Sequence, residues 1–347
     1  MEQTEKSPMP PKKKKMLILC IVLAVILAIL IAVLIYVGSL LGLINHPDPN
    51  QEYVTPEEYE QEQTNDPTYT GPTEDPNAIV WTDANTIGAG QNIVNLLLIG
   101  QDRRPGESRA RSDSMILCTV NKEKKTVTLS SFMRDMYVQI PGYSDNRINA
   151  SYAFGGMELL NSCIKKNFGV AIDGNIEVDF YGFAEVIDNM GGLNVELTSA
   201  EAAYLNRRGN WDIENNAGQW SLVAGMNQLT GSQTVAYSRI REVGNGDFGR
   251  TERQRKVLNI IAEKARNMSW AEIDSLMRSF LPLLTTDMTN DQILGFAMEL
   301  FPMLTDIQIN SQQIPAADAY RMTMINDMSV LLPDMDKNRQ ILSDIMQ

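Results

Sequence analysis

Arginines crowd between Ala236 and Gln254, AYSRIREVGNGDFGRTERQ, in a chain whose formal net charge is −13. Arg239 and Arg241 alternate with apolar neighbours, so on a strand both would face one way. Arg250, Arg253 and Gln254 follow at the spacing of one helix face. Between the two groups, Gly244-Asn245-Gly246-Asp247 is a turn signal that folds one back toward the other. Convergent guanidiniums with an amide beside them suit a ligand that carries several anionic oxygens. The competing reading is a solvated helix face on which Glu242, Asp247 and Glu252 serve as salt-bridge partners.

The rest of the composition narrows the chemistry. The single histidine, His46, lies in a polar segment, which excludes a Ser–His or Cys–His engine. Cys20, Cys118 and Cys163 form no metal-ligand spacing. With 43 acidic against 30 basic residues, nucleic acid is not a general partner. Carboxylates, arginines and a metal ion are what remains. Asp102, Asp113 and Arg134 stand beside apolar runs, where loops at strand ends build ligand sites in open α/β sheets.

Those runs supply the scaffold. Ile93 to Ile99 reads as a buried strand, Met115 to Val120 as a second and Val127 to Phe132 as a third. A helix begins at Arg147-Ile148-Asn149, with Leu160, Cys163, Ile164 and Phe168 on its buried face. Cys163 and Cys118 therefore read as core residues, and a disulfide between them is open outside the cell. Ile176 to Val178 and Val195 to Leu197 are short strands, separated by a helix that Asp179 caps and Gly191-Gly192 ends. Residues 199–222 begin helical and become a polar loop around Trp211 and Trp220, placed near the site entrance. A long helix runs from about Thr251 to Asn267. Ser269 to Glu272 and Thr289 to Gln292 match capping boxes. Ile307 to Ile314 and Arg321 to Val330 are expected strands, and Lys337 to Met346 a closing helix.

Ahead of this domain the composition changes. Met16 to Val37 carries no charge, which is enough apolar chain to cross the ~30 Å hydrocarbon core, and a transmembrane helix is expected over 16–40. The lysines at 12–15 keep the basic tail, residues 1–15, in the cytoplasm. This predicts a single-pass protein of the cell membrane, with its N-terminus cytoplasmic and everything after the span extracellular. The acidic, Pro-rich residues 41–90 read as an extended linker, and 91–347 as one mixed α/β domain that includes the C-terminal helices.

Six segments then occur in a telling order: NLLLIGQDRR, RSDSM, SFMRDMYVQIPG, RINASYAFGG, YSRIRE and GDFGRTERQ. Together they resemble the LytR–CpsA–Psr (LCP) family of cell-envelope proteins, strongly from Asn92 to Gln254 and loosely beyond. The resemblance implies an α/β/α sandwich with a mixed central sheet and a cavity for a lipid. It implies transfer of a glycopolymer from a polyprenyl-pyrophosphate carrier to a peptidoglycan hydroxyl through a phosphodiester. Carried over by motif, Asp102 and Asp113 would hold Mg²⁺ (or Mn²⁺), and Arg134 and Asp102 would be catalytic. Arg104, Arg147, Arg239, Arg241, Arg250, Arg253 and Gln254 would line the pyrophosphate. Met133 departs from the family's usual proline before Arg-Asp. Phosphoryl transfer needs mainly positioning and charge stabilisation, which these residue types supply. Magnesium prefers a few carboxylates plus substrate oxygens to an all-protein cage. A lipid-pyrophosphate pyrophosphatase, a non-enzymatic polymer-binding scaffold and a transcriptional attenuator are the competing functions.

Overall fold

The Ile93-Val-Asn-Leu-Leu-Leu-Ile run forms the central strand of the molecule. The computed structural model describes residues 31–61, 71–88, 90, 92–101, 112–207, 220–303 and 307–347. Strand β1 (Ile93–Gln101) is flanked by β2 (Ser112–Asn121), antiparallel to it, and by β6 (Gly174–Asp179), parallel to it. Beyond β2 lie β3 (Thr126–Phe132) and the edge strand β10 (Gln308–Ile314). The two-residue β9 (Thr285–Thr286) closes the other edge, which gives six strands in the order β10-β3-β2-β1-β6-β9. The sheet is mixed, as expected.

The register decides where a site can form. Gln101 pairs with Ser112 and with Asp179, while Phe132 pairs with Met115 and with Ile314. The end of β1, the start of β2 and the ends of β3 and β6 therefore share one edge of the sheet. A bulge at Gly100/Gln101 bends β1 at that edge. There the Gln101 amide donates to the Tyr152 hydroxyl, which donates to Glu177. These three side chains are buried, so the polar chain fixes the end of β1 just before Asp102.

Helices cover both faces. On one side lie α2 (Ile148–Phe168) and the closing α9 (Met335–Met346), packed on Leu97, Ile99, Leu117 and Phe132. Leu160, Cys163, Ile164 and Phe168 are fully buried there, as their spacing required. On the other side lie α3 (Phe180–Asn189), α5 (Gly231–Arg239) and α6 (Gly246–Arg266), followed by α7 (Trp270–Phe280) and α8 (Asn290–Leu300). A second core joins α3, α5 and α6 to α4 (Ser199–Leu205) and the ribbon of β7 (Leu193–Leu197) and β8 (Gly225–Leu229). Trp220 packs half-buried against it, and Trp211 lies outside the described residues. Cys118 and Cys163 are both free, in cores on opposite faces of the sheet. Burial pushes both thiols up to about 12, as befits inert core residues.

Three expectations are corrected. YSRIR is not a strand: the Thr230/Gln233 capping box starts a helix that runs through Arg239. The alternation that suggested a strand is the buried side of that helix, Val235, Ala236 and Tyr237, followed by Ile240. The expected strand from Arg321 to Val330 is two, β11 (Tyr320–Ile325) and β12 (Met328–Pro333). Asn326 and Asp327 turn the chain between them with φ of 48° and 60°, the left-handed pair that a two-residue hairpin needs.

The third correction concerns 41–90, which over its described part is no free tether. Asn45 bridges to Thr285, and Val54 N–H donates to the Ala153 carbonyl at 3.0 Å. A short helix, α1 (Pro56–Gln61), buries Tyr59 to 2 % exposure, and its hydroxyl donates to Asn149 Oδ1 at 3.0 Å. Tyr53 fills the space beside Gly156, where α2 kinks at φ 58°. The compact unit accordingly runs from Asn45 to Gln347. Acidic composition concealed a few apolar anchors that dock the segment. Of the expected span, residues up to 30 lie outside the described ones, and 31–41 are helical. Among the described residues no helix is long and apolar enough to cross a membrane.

Docking of the segment has a direct test. Tyr59→Ala should lower the stability of the compact unit by roughly 3–5 kcal/mol, the usual cost of emptying a buried aromatic site. Urea unfolding measures it, and an unchanged midpoint would return residues 45–61 to the role of a tether.

Candidate functional site

The site stands at the sheet edge defined by the register. Asp113 is the second residue of β2, and Arg134 follows β3 after Met133. Arg134 Nη1 donates to Asp113 Oδ1 at 2.8 Å, and its Nε lies 3.5 Å from Asp135 Oδ2. Arg147 enters α2 from β5 (Asn146–Arg147), which pairs with β4 (Tyr137–Val138). Its Nη1 donates to Asp135 Oδ1 at 3.2 Å. Thus the loop after β3 and the start of α2 are tied together through one carboxylate.

The opposing wall is the first turn of α6. Asp247 Oδ1 lies 3.1 Å from Arg241 Nε and 3.3 Å from Arg250 Nη2. The Gly-Asn-Gly turn does bring the two groups together, through a carboxylate first read as a surface partner. Four guanidiniums thus converge on Asp113, Asp135 and Asp247. Asp113 and Asp135 are ionised: burial pushes each up, but Arg134 with Arg250 or Arg147 outweighs it and holds both below the usual range. For Asp247 burial wins, aided by Asp135, and its carboxyl is raised. The cluster is therefore net cationic.

Arg250 is the least satisfied member. Its residue is 2 % exposed, and among the described residues its Nε and Nη2 have no hydrogen-bond acceptor. Burial, then Arg134 and Arg241, push it down to about 10. A buried guanidinium with unused donors among like charges is poised for an anion. Arg134 differs: burial lowers it, but Asp135, Asp113 and Asp247 outweigh that and hold it above its ordinary value.

The other expected residues divide. Arg239 and Gln254 lie together at an apolar cavity of about 220 Å³ between the sheet and α3, α5, α6 and α7. Arg239 stacks over the Phe180 ring at 4.6 Å, and Gln254 Oε1 accepts from Ser114 Oγ at 3.1 Å. Gln254 stands one turn along α6 from Arg250 and on the same face, so the polar end of the cavity lies beside the cation cluster. Apart from Asp179 and Ser238 the remaining walls are apolar, among them Ile116, Val178, Phe183, Leu258 and Phe280. No periodicity marks this cavity in advance, because its lining is drawn from seven elements, three strands and four helices.

Arg253 does not join the cluster. Its Nε donates to Glu201 Oε1 at 2.7 Å, and its other two nitrogens donate to the carbonyls of Ile240 and Val243. It braces the turn from behind, because one step back from Gln254 on a helix buried on two sides faces α4. Glu201 is no part of the expected site, although Thr198 three residues earlier signals its capping box. Asp102 and Arg104 lie outside the described residues. So does any metal site that depends on Asp102: among the described residues no group of three or more ligating side chains forms. Asp113, ionised at the cluster's edge, fits an ion that draws most of its ligands from phosphate and water.

Two outcomes separate these roles. Arg253→Met should cost roughly 3–5 kcal/mol, because it strands Glu201 in the interior. Burial pushes the Glu201 carboxyl up, but the Thr198 amide and Arg253 outweigh it and hold it low. Its stabilisation is thus full above an unfolded pKa of about 4.3 and lost as pH falls through the lower folded value, so Glu201→Gln should flatten the acid limb of a stability curve. Arg250→Met should melt at or above wild type, since it removes a buried cation in excess. Inorganic pyrophosphate should raise the wild-type melting temperature but not that of Arg250→Met, and an equal rise in both would deny Arg250 the anion.

Comparison with known proteins agrees with the sequence motifs. Residues 55–346 match the LytR_cpsA_psr family model. The chain is 33 % identical over 203 residues to the polyisoprenyl-teichoic acid–peptidoglycan teichoic acid transferase TagU of Bacillus mycoides, covering 58 % of this chain and 62 % of that one. It is 28 % identical over 258 residues to the regulatory protein MsrR of Staphylococcus aureus, covering 73 % and 74 %. TagT of Bacillus subtilis, solved with bound octaprenyl pyrophosphate lipid, shares the fold with a TM-score of 0.56 at 23 % identity, over 74 % of this chain and 90 % of that one. On the family match over 55–346, and with the same fold and motif order, this chain belongs to the LytR–CpsA–Psr family.

Proposed function

We propose that the protein is a membrane-anchored phosphotransferase that moves a glycopolymer from a polyprenyl-pyrophosphate carrier to a peptidoglycan hydroxyl. The observation that carries this reading is the junction of an apolar cavity with a buried, under-bonded cation cluster. That junction matches an amphiphile with a prenyl tail and a diphosphate head. The tail would lie against Phe183, Leu258 and Phe280, and the diphosphate between Arg134, Arg241 and Arg250. A TagU relative carries the transferase name, and a TagT of the same fold binds octaprenyl pyrophosphate.

In the reaction, the acceptor oxygen forms a bond to the sugar-bearing phosphorus as the bridging P–O bond breaks. Polyprenyl monophosphate leaves, and the hydroxyl proton passes to a base. The chain's work is to hold both phosphates, spread the charge that shifts to the leaving oxygen, and keep water out. Asp113 with Asp102 would hold Mg²⁺ or Mn²⁺, which neutralises charge on the phosphate oxygens. Arg147 holds Asp135 and through it Arg134, so it acts by positioning. Arg239 and Gln254 mark where head meets tail. Residues 16–40 would anchor the chain, with the domain outside the cell.

Transfer of a labelled lipid-linked glycan to peptidoglycan tests the reading. Arg134→Ala should lose roughly 10³–10⁵ of the rate, and Arg134→Lys should recover only part, since lysine lacks the two-pronged geometry. Arg241, 40 % exposed at the rim, should lose transfer on truncation while stability moves by only about 0–1 kcal/mol. Release of glycan phosphate to water without acceptor product would assign a pyrophosphatase instead. For the topology, protease outside intact protoplasts should degrade the domain, and full protection would refute an extracellular site.

A further inference from the structure

Two half-buried aromatic rings sit beside the cluster with no part yet in its chemistry. Phe248 follows Asp247 in the first turn of α6, next to the carboxylate that bridges Arg241 and Arg250. Tyr320 opens β11, and the two rings stack at 5.3 Å with 28° between their planes. The hairpin that carries Tyr320 is docked on the opposite wall: Leu331 N–H donates to the Asp135 carbonyl at 2.9 Å, and Met136 bridges to Leu331. The aromatic pair therefore spans the two walls that hold the guanidiniums. Both rings keep part of their surface exposed, at a place where a core contact alone would gain from full burial.

We propose that Phe248 and Tyr320 form a stacking subsite for the first sugar attached to the pyrophosphate. The inference rests on the phosphotransferase reading and adds to it a site for the head of the glycan. A pyranose has one face of C–H bonds and a rim of hydroxyls. The C–H face packs on the electron-rich face of an aromatic ring, while the hydroxyls stay in water. A sugar bonded directly to the second phosphate cannot leave the vicinity of Arg241 and Arg250, so it must meet whatever surface adjoins Asp247. Phe248 is the next residue in the same helical turn, and Tyr320 stacks on it. Because stacking reads the shape of a ring rather than its hydroxyl pattern, such a subsite would accept several hexosamines and select sugar-bearing lipid over spent carrier.

Binding to the full chain in detergent micelles tests this with two probes, octaprenyl pyrophosphate and the same lipid bearing one N-acetylglucosamine. Wild type should bind the sugar-bearing lipid about tenfold more tightly. In Tyr320→Leu and Phe248→Leu, which keep apolar packing beneath the rings, the two lipids should bind alike, at the wild-type affinity for the bare one. No sugar preference in wild type, or a preference that survives both substitutions, overturns the subsite and leaves the phosphotransferase reading standing. Loss of bare-lipid binding in both variants would make the pair a structural fastening and also overturn it. Failure of wild type to bind either lipid would overturn the phosphotransferase reading and the subsite together.

Discussion

The structure depends on one electrostatic arrangement: buried guanidiniums at the sheet edge that their own carboxylates do not fully satisfy. Arg134 is held by Asp113 and Asp135, but among the described residues Arg250 has ion-pair contact without hydrogen bonds for its Nε and Nη2. A protein selected only for stability would pair or replace such a group. Retaining it makes sense where an incoming anion supplies the missing acceptors, so that part of the folding free energy is held back for binding.

Keeping those cations together requires the surrounding architecture. The register of β1, β2 and β3 brings Asp113 and Arg134 to one edge, and the Gln101–Tyr152–Glu177 chain fixes the neighbouring strand end. Arg253, tied to Glu201 and to two carbonyls of the 240–243 turn, holds the α6 wall against it. The cavity follows from the same geometry. Ser114 and Gln254 link the polar edge to walls drawn from the sheet and from four helices, so cation cluster and cavity share one frame.

Much of this was legible in the sequence, for physical reasons. Short apolar runs bounded by turn signals read as buried strands, so β1, β2 and β3 are legible to within a few residues. The 160, 163, 164, 168 spacing could only be a helix face. What misled was local ambiguity. Val235, Ala236, Tyr237 and Ile240 fit either period, and only the Thr230/Gln233 box settles the matter. Arg250 and Arg253 are equivalent by spacing, which gives a face but not what lies opposite it. Composition argued for a tether at 41–90, yet Tyr59 and its bond to Asn149 outweigh the charge around them. The cavity was invisible because no single segment encodes it.

The central claim is that this edge binds a diphosphate whose prenyl tail fills the adjoining cavity. A crystal structure of the protein with octaprenyl pyrophosphate and Mg²⁺ tests it most directly. Phosphate oxygens should lie within hydrogen-bond distance of Arg250 Nε and Nη2 and of Arg241. The metal should sit on Asp113, and the tail against Phe183, Leu258 and Phe280. A lipid bound elsewhere, with Arg250 still facing only Asp247, would contradict it.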